Sequence, residues 1–260
     1  MSFTCGTDVT KYLHAWKCDL FLSTEENQVK RVLAGVTSDP LEGIAAGLVY
    51  NMISEPVPVQ PTIVSSDNFT IVSSDEPILS SDTPWPKDQV RIVFDGDGVL
   101  FFKEPKSVIS EQSERETEDI PLAKGPMQAF ALKLQNVRRA LGELNGWRVR
   151  TFLVTTSIDA SAKRVFSTMK EWGLEIDEIH FLSGLDKTRF LRTMDPAIFF
   201  DHSDQHFQSA NQHIPAAHVP HSPRTIQATI DAVVLTTPHH TVTSIIFNDT
   251  NTEAKHFKNS

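Results

Sequence analysis

The stretch QVRIVFDGDGVLF, Gln89–Phe101, decides the fold. Its first half is a nearly continuous β-branched and aromatic run, the pattern of a strand buried on both faces. The run stops abruptly at Asp95-Gly96-Asp97. Side chains two apart on an extended backbone point the same way, so two carboxylates are expected to converge at the strand's carboxyl end. Close like charges are costly unless a cation or a shared proton compensates. A hard divalent ion such as Mg²⁺, held through oxygen, would do so. One carboxylate can then attack phosphorus while the other handles the leaving group's proton. Asp-Gly is also an ordinary turn pair, so the tripeptide alone does not decide the chemistry.

Reading outward, PMQAFALKLQNVRRALGELN (Pro126–Asn145) predicts a helix with Pro126 in its first turn. RVRTFLVTT (Arg148–Thr156) predicts a second buried strand, and SIDASAKRVFSTMKEWGL (Ser157–Leu174) a helix closed by Gly173. EIHFLSG (Glu178–Gly184), PAIFFD (Pro196–Asp201) and AAHVP (Ala216–Pro220) read as strands, and DKTRFLRTM (Asp186–Met194) as a short helix. The residues after Asp201 read as polar loop. Strands alternating with helices on short connections imply an α/β fold with a doubly wound parallel sheet. Ligands in such sheets sit at the carboxyl ends of the strands.

This catalytic unit is expected to span residues 89–222. Residues 1–53 form an N-terminal α/β segment packing on it. There KCDLFLS (Lys17–Ser23) reads as a strand and TEENQVKRVLAGV (Thr24–Val36) as a helix with Thr24 as N-cap, while DPLEGIAAGLVYNMI (Asp39–Ile53) is apolar enough to be buried. Residues 54–88 read as a low-complexity linker, with six prolines, from Pro56 to Pro86, and IVSSD occurring twice, at Ile63–Asp67 and Ile71–Asp75. The tail, 223–260, has apolar β-branched pieces but no clear element order.

Composition narrows the function. Among 260 residues, 33 acidic and 24 basic side chains leave a formal charge of −9, a surface that repels phosphate backbones and argues against a general nucleic-acid binder. Two cysteines, Cys5 and Cys18, form neither a disulfide framework nor a CxxC zinc pair. With neither a signal-like stretch nor an apolar run of membrane-spanning length, the expected location is cytoplasmic.

Candidate chemistry gathers at strand ends. Thr155 and Thr156 close the second strand and offer hydroxyls to a phosphate. Lys187, beside a helix start, can hold an anionic intermediate. Asp201 ends an apolar strand and completes an oxygen site with Asp95 and Asp97. Each is common alone; Asp, Thr, Lys and Asp at successive strand ends are far more specific.

In that order the chain resembles the haloacid dehalogenase-like phosphatases and, more closely, the cytosolic 5'-nucleotidase I family. The resemblance rests on VFDGDGVLF (Val93–Phe101), PLAKGP (Pro121–Pro126), RTFLVTTS (Arg150–Ser157), MKEWGLEIDEIHFLSGLDK (Met169–Lys187), IFFD (Ile198–Asp201) and AAHVPHS (Ala216–Ser222). YLHAWKCDLFLS (Tyr12–Ser23) and GIAAG (Gly43–Gly47) extend it towards the N-terminus. It implies Mg²⁺-dependent hydrolysis of nucleoside 5'-monophosphates of the AMP or IMP type through an aspartyl-phosphate. Asp95 would be the nucleophile, Asp97 the acid and then the base, Thr155 with Thr156 the phosphate binders, Lys187 the neutralising cation, and Asp95, Asp97 and Asp201 the metal ligands.

Three departures stand out. His202 occupies the place of a second Asp, for which Asp204 is a candidate substitute. Thr156, Ser157 and Ile158 stand where relatives commonly have Ala-Arg-Ser. Relatives also carry more sequence upstream. His202 and His206 are at i, i+4, but without a third suitable ligand nearby a zinc site is not expected. The partner expectations are a nucleoside monophosphate substrate, no nucleic acid, no membrane, and a homo-oligomer or larger assembly. The departures motivate a second reading: a catalytically weakened nucleotidase-like subunit with a structural or interaction role.

Overall fold

The computed structural model describes residues 9–34, 44–50, 85–103, 121–156 and 162–220. The repeated IVSSD motif, the tail from 223 and the Ser157–Ile158 departure lie outside them. The strands are β1 Leu20–Ser23, β2 Ala45–Leu48, β3 Val90–Phe94, β4 Phe101–Phe102, β5 Ala123–Lys124, β6 Val149–Thr155, β7 Glu178–Phe181, β8 Ile198–Asp201 and β9 Ala216–His218. The helices are α1 Thr10–Ala15, α2 Glu26–Ala34, α3 Gln128–Ala140, α4 Gly142–Asn145, α5 Ala162–Trp172, α6 Lys187–Met194 and α7 Asp204–Asn211, with a 3₁₀ turn at Gly146–Arg148.

Seven strands form one sheet in the order β1-β2-β9-β8-β3-β6-β7. β9, β8, β3, β6 and β7 are mutually parallel. From β3 the chain winds one way through α3 to β6 and α5 to β7, then returns through α6 to β8 and α7 to β9. This is the doubly wound α/β arrangement expected from the strand–helix alternation. The N-terminal segment joins the same sheet: β1 pairs with β2 in parallel, and β2 meets β9 antiparallel at Leu48 and His218.

Period-two alternation explains why helices cover both faces. Ile92, Phe94, Leu153, Phe200 and Ala217 point to one side, where they pack with Val29 and Val32 of α2, Ala131 of α3 and Val165 and Met169 of α5. Val93, Phe152, Val154, Phe199 and Ala216 point to the other, against Leu191 and Met194 of α6 and Phe207 and Ala210 of α7. Strands with apolar side chains on both faces leave no solvated side, which is why they read as continuous apolar runs.

Some local expectations shift. α2 starts at Glu26, two residues beyond Thr24, and Ser23 Oγ accepts the Glu25 amide. α3 starts at Gln128 with Met127 as N-cap, so Pro126 precedes the helix. Gly173 closes α5 at φ +62°, a left-handed turn that suits glycine. The loop expected after Asp201 contains α7, capped by Ser203. Two further strands, β4 and β5, form a small antiparallel ribbon.

One buried cation anchors the frame. Arg91 on β3 is 6% exposed, and its guanidinium donates to the carbonyls of Met194 at 2.7 Å and Asp195 at 2.7 Å, closing the C-terminus of α6. Arg91→Met keeps the apolar stem but strips those carbonyls of their donor, at an expected cost of about 2–3 kcal/mol. Urea unfolding measures it, and a loss under about 0.5 kcal/mol would contradict this anchoring role.

Candidate active site

Strands β3, β6 and β8 end side by side, and their last residues meet at the sheet's carboxyl edge, beside the point where the winding reverses. Asp95 follows β3, Thr155 closes β6, Asp201 closes β8, and Lys187 opens α6. All four are buried, at 3%, 2%, 0% and 1% exposure respectively.

Lys187 is the link between the two carboxylates. Its Nζ stands 2.7 Å from Asp95 Oδ1 and 2.7 Å from Asp201 Oδ2. A cation at the first turn of a helix opposes the helix dipole. It is held there by two anions and by Asp186, the N-cap, whose carboxylate accepts the Thr188 amide and hydroxyl. Asp95 Oδ1 also accepts the Gly96 amide at 2.7 Å, and Asp201 Oδ1 accepts the Ser203 amide at 2.7 Å. Burial alone would raise the pKa of Asp201, but His206, Lys187 and the Ser203 amide outweigh it and hold the carboxyl below its usual value.

The outer oxygens face imidazole. His202 Nδ1 lies 2.9 Å from Asp95 Oδ2 and 3.7 Å from Asp201 Oδ1. Burial would lower the pKa of His202, but the Asp95 carboxylate overrides it and the net shift is upward. His206 Nδ1 is buried without a hydrogen-bond partner, 3.5 Å from Asp201 Oδ2. The two imidazoles therefore flank Asp201 on different oxygens, and His202 also faces Asp95.

Asp97 lies two residues beyond Asp95 and is close enough to His202 for each charge to act on the other. Its Oδ1 accepts the Lys103 amide at 2.9 Å. Beyond Phe94 the backbone is no longer a strand, and Gly98 turns left-handed at φ +74°. Burial pushes the Asp97 carboxyl above the usual carboxylate range, despite the Lys103 amide and the charges of His202 and Lys103. Thr155 Oγ1 lies against Gly96, 3.2 Å from where a Cβ there would stand. Thr156 is half-buried beside it, and its carbonyl accepts the Gly184 amide. Asp204 does not reach the cluster; it is exposed in the first turn of α7, 3.8 Å from His218 Nδ1.

Asp95, Asp201 and His202 present ligand atoms all within 4.8 Å of one another, the one such group among the described residues. Two carboxylate oxygens and an imidazole nitrogen fit a divalent cation. Asp97, expected as a third oxygen ligand, is outside that group. The local sequence reading missed His206 as a neighbour of Asp201, although its i, i+4 spacing from His202 was a legible signal.

Removing the cation exposes how the cluster is balanced. Lys187→Met leaves two buried carboxylates facing each other, and breaking a buried pair costs about 3–5 kcal/mol. Unfolding in the presence of a chelator should show that loss, and added divalent cation should restore more stability to the variant than to the parent. Equal stability of the two proteins under chelation would contradict this balance.

A human protein, "Cytosolic 5'-nucleotidase 1B" (Homo sapiens), is 29% identical over 220 residues, covering 80% of this chain and 30% of that protein. The chain thus spans about a third of its relative's length. Among solved structures, one of the Pnkp1/Rnl/Hen1 RNA repair complex is similar at a TM-score of 0.37 and 10% identity, over 53% of this chain and 45% of that one. The HAD domain of the effector protein Lem4 from Legionella pneumophila is similar at 0.32 and 10%, over 56% and 93%. Among the described residues no helix is long and apolar enough to cross a membrane. The family model for 5'-nucleotidase matches residues 1–225, and the chain belongs to that family.

Proposed function

We propose that this chain is a phosphoric monoester hydrolase that converts nucleoside 5'-monophosphates of the AMP or IMP type to nucleoside and phosphate. The observation that carries the reading is Lys187 Nζ bridging Asp95 and Asp201 at 2.7 Å each, at the ends of adjacent parallel strands. Phosphoryl transfer asks mainly for an in-line nucleophile and compensated charge, and a strand-end carboxylate paired with a buried ammonium suits both demands.

Asp95 carboxylate forms the oxygen–phosphorus bond as the bond to the 5'-oxygen breaks. Asp97, kept protonated to higher pH by burial, gives its proton to that leaving oxygen. Water then attacks the phosphoryl group, its proton passes to Asp97, and Asp95 is released. Thr155 and Thr156 donate hydroxyl hydrogen bonds to the phosphoryl oxygens, and Lys187 offsets their charge. A divalent cation, Mg²⁺ by family resemblance, would be held by Asp95 and Asp201 with Asp97 beside them, and would neutralise phosphoryl charge. Nucleotide, rather than nucleic acid, suits a chain carrying a formal charge of −9.

Two variants test the roles. Asp95→Asn should lower phosphate release from AMP by at least about 10³-fold while the protein stays folded, because an amide is a poor nucleophile. A folded variant with parental turnover would remove the nucleophile assignment. No release from the parent with any divalent cation would instead favour the weakened subunit that the His202 departure suggests.

Asp97→Asn should slow single-turnover nucleoside release by about 10²–10⁴-fold. An aryl phosphate with an acidic phenol leaves without a proton, so single-turnover phenolate release should fall far less. Equal losses with both esters would take the acid role away from Asp97.

A further inference from the structure

The donor set around Asp95 differs in kind from an all-oxygen magnesium site, and that difference has consequences for the metal. Lys187 occupies Asp95 Oδ1 and Asp201 Oδ2. The opposite oxygens, Asp95 Oδ2 and Asp201 Oδ1, both face His202 Nδ1, at 2.9 and 3.7 Å. The imidazole is therefore set directly at the open side of the carboxylate pair.

Its placement is built in. A Cβ on Gly98 would lie 2.6 Å from His202 Cγ, so the ring occupies space that only glycine leaves free, and Gly98 sits at φ +74° where glycine is favoured. The His202 carbonyl lies 2.9 Å from His218 Nε2 and pairs with it through a hydrogen bond. Behind Asp201, His206 Nδ1 is buried 3.5 Å from Oδ2.

Magnesium demands oxygen ligands and near-ideal octahedral geometry, whereas imidazole nitrogen suits the later first-row transition ions, Fe²⁺, Ni²⁺, Cu²⁺ and Zn²⁺. Resting on the nucleotidase reading of this site, we propose that His202, with Asp95 and Asp201, makes this a centre for a divalent first-row transition ion in preference to Mg²⁺. Asp95 and Asp201 contribute hard oxygens and His202 the nitrogen that sets the preference. His206 acts through Asp201 as a positioning residue.

The test uses the full chain and Mn²⁺ as probe. Pulsed electron paramagnetic resonance of the Mn²⁺-loaded protein should show coupling to a directly bound ¹⁴N nucleus. The coupling should vanish in His202→Asp and in His202→Asn, and persist in His206→Asn. In calorimetric titrations the ratio of Mg²⁺ to Zn²⁺ dissociation constants should fall at least about tenfold from parent to His202→Asp. No saturable Mn²⁺ binding, no nitrogen coupling in the parent, coupling that survives loss of His202, or an unchanged ratio would each overturn the proposal. The parent's spectrum decides even if a His202 variant fails to fold. Nitrogen-coupled Mn²⁺ in a protein that releases no phosphate from AMP would overturn the nucleotidase reading alone.

Discussion

The site depends on one buried ammonium group. Lys187 Nζ touches carboxylates from two different strands, and Lys187 is only 1% exposed. A buried cation is tolerable only when paired, and each carboxylate beside it is tolerable for the same reason. The three groups therefore fix the positions of one another. The helix that delivers the cation is held at both ends: Asp186 caps its start, and Arg91 donates to the carbonyls at its finish. Arg91 belongs to β3, the strand that also delivers Asp95. A displacement of α6 along its axis would thus break contacts at the frame and at the site together.

The sheet makes that precision affordable. β3 is flanked by β6 and β8, and all three are apolar on both faces. Central strands sandwiched in this way have little freedom to slide, because a one-residue slip would exchange the two cores. The polar residues then fall where the apolar run ends, at the edge beyond the ladders. The N-terminal strands extend the sheet from β9 and, together with α2, add Val29, Val32, Ala45, Ala46 and Leu48 to one of the two cores. Their effect on the site is indirect: they bury the outer side of β9, next to β8 and its terminal Asp201.

How much of this was legible follows from where each signal resides. β3, β6 and β8 could be read because burial on both faces leaves an unbroken apolar run, and their ends named Asp95, Thr155 and Asp201. Lys187 was legible as lying just before or inside a short helix after β7, and it proves to open that helix. The helix α7 read as loop because only Phe207 and Ala210 of it are buried, among Asp204, Gln205, His206 and Gln208. The two-residue strands β4 and β5 are too short for any alternation to register. Convergence of Asp95 with Asp97 was expected from strand geometry; the strand itself ends at Phe94, and the Asp95 charge still acts on Asp97. The partner that Asp95 does meet, His202, is 107 residues away and comes from the end of β8. Only the sheet order brings the two together, and no local pattern encodes it.

Charge gives a reason for the imidazole at this edge. One lysine stands against two buried carboxylates, so the innermost cluster retains an excess of negative charge. On the proposed reading, a phosphate monoester entering it would bring still more, in a protein already at −9. Lys187 cannot offset all of that, being already shared between Asp95 and Asp201. Whatever completes the balance must sit on the oxygens that Lys187 leaves open, Asp95 Oδ2 and Asp201 Oδ1. His202 Nδ1 faces both. A second carboxylate there would have deepened the deficit and called for a metal to repay it in full. A neutral imidazole adds a ligand without adding negative charge, so a bound divalent ion keeps more of its charge for the phosphoryl oxygens.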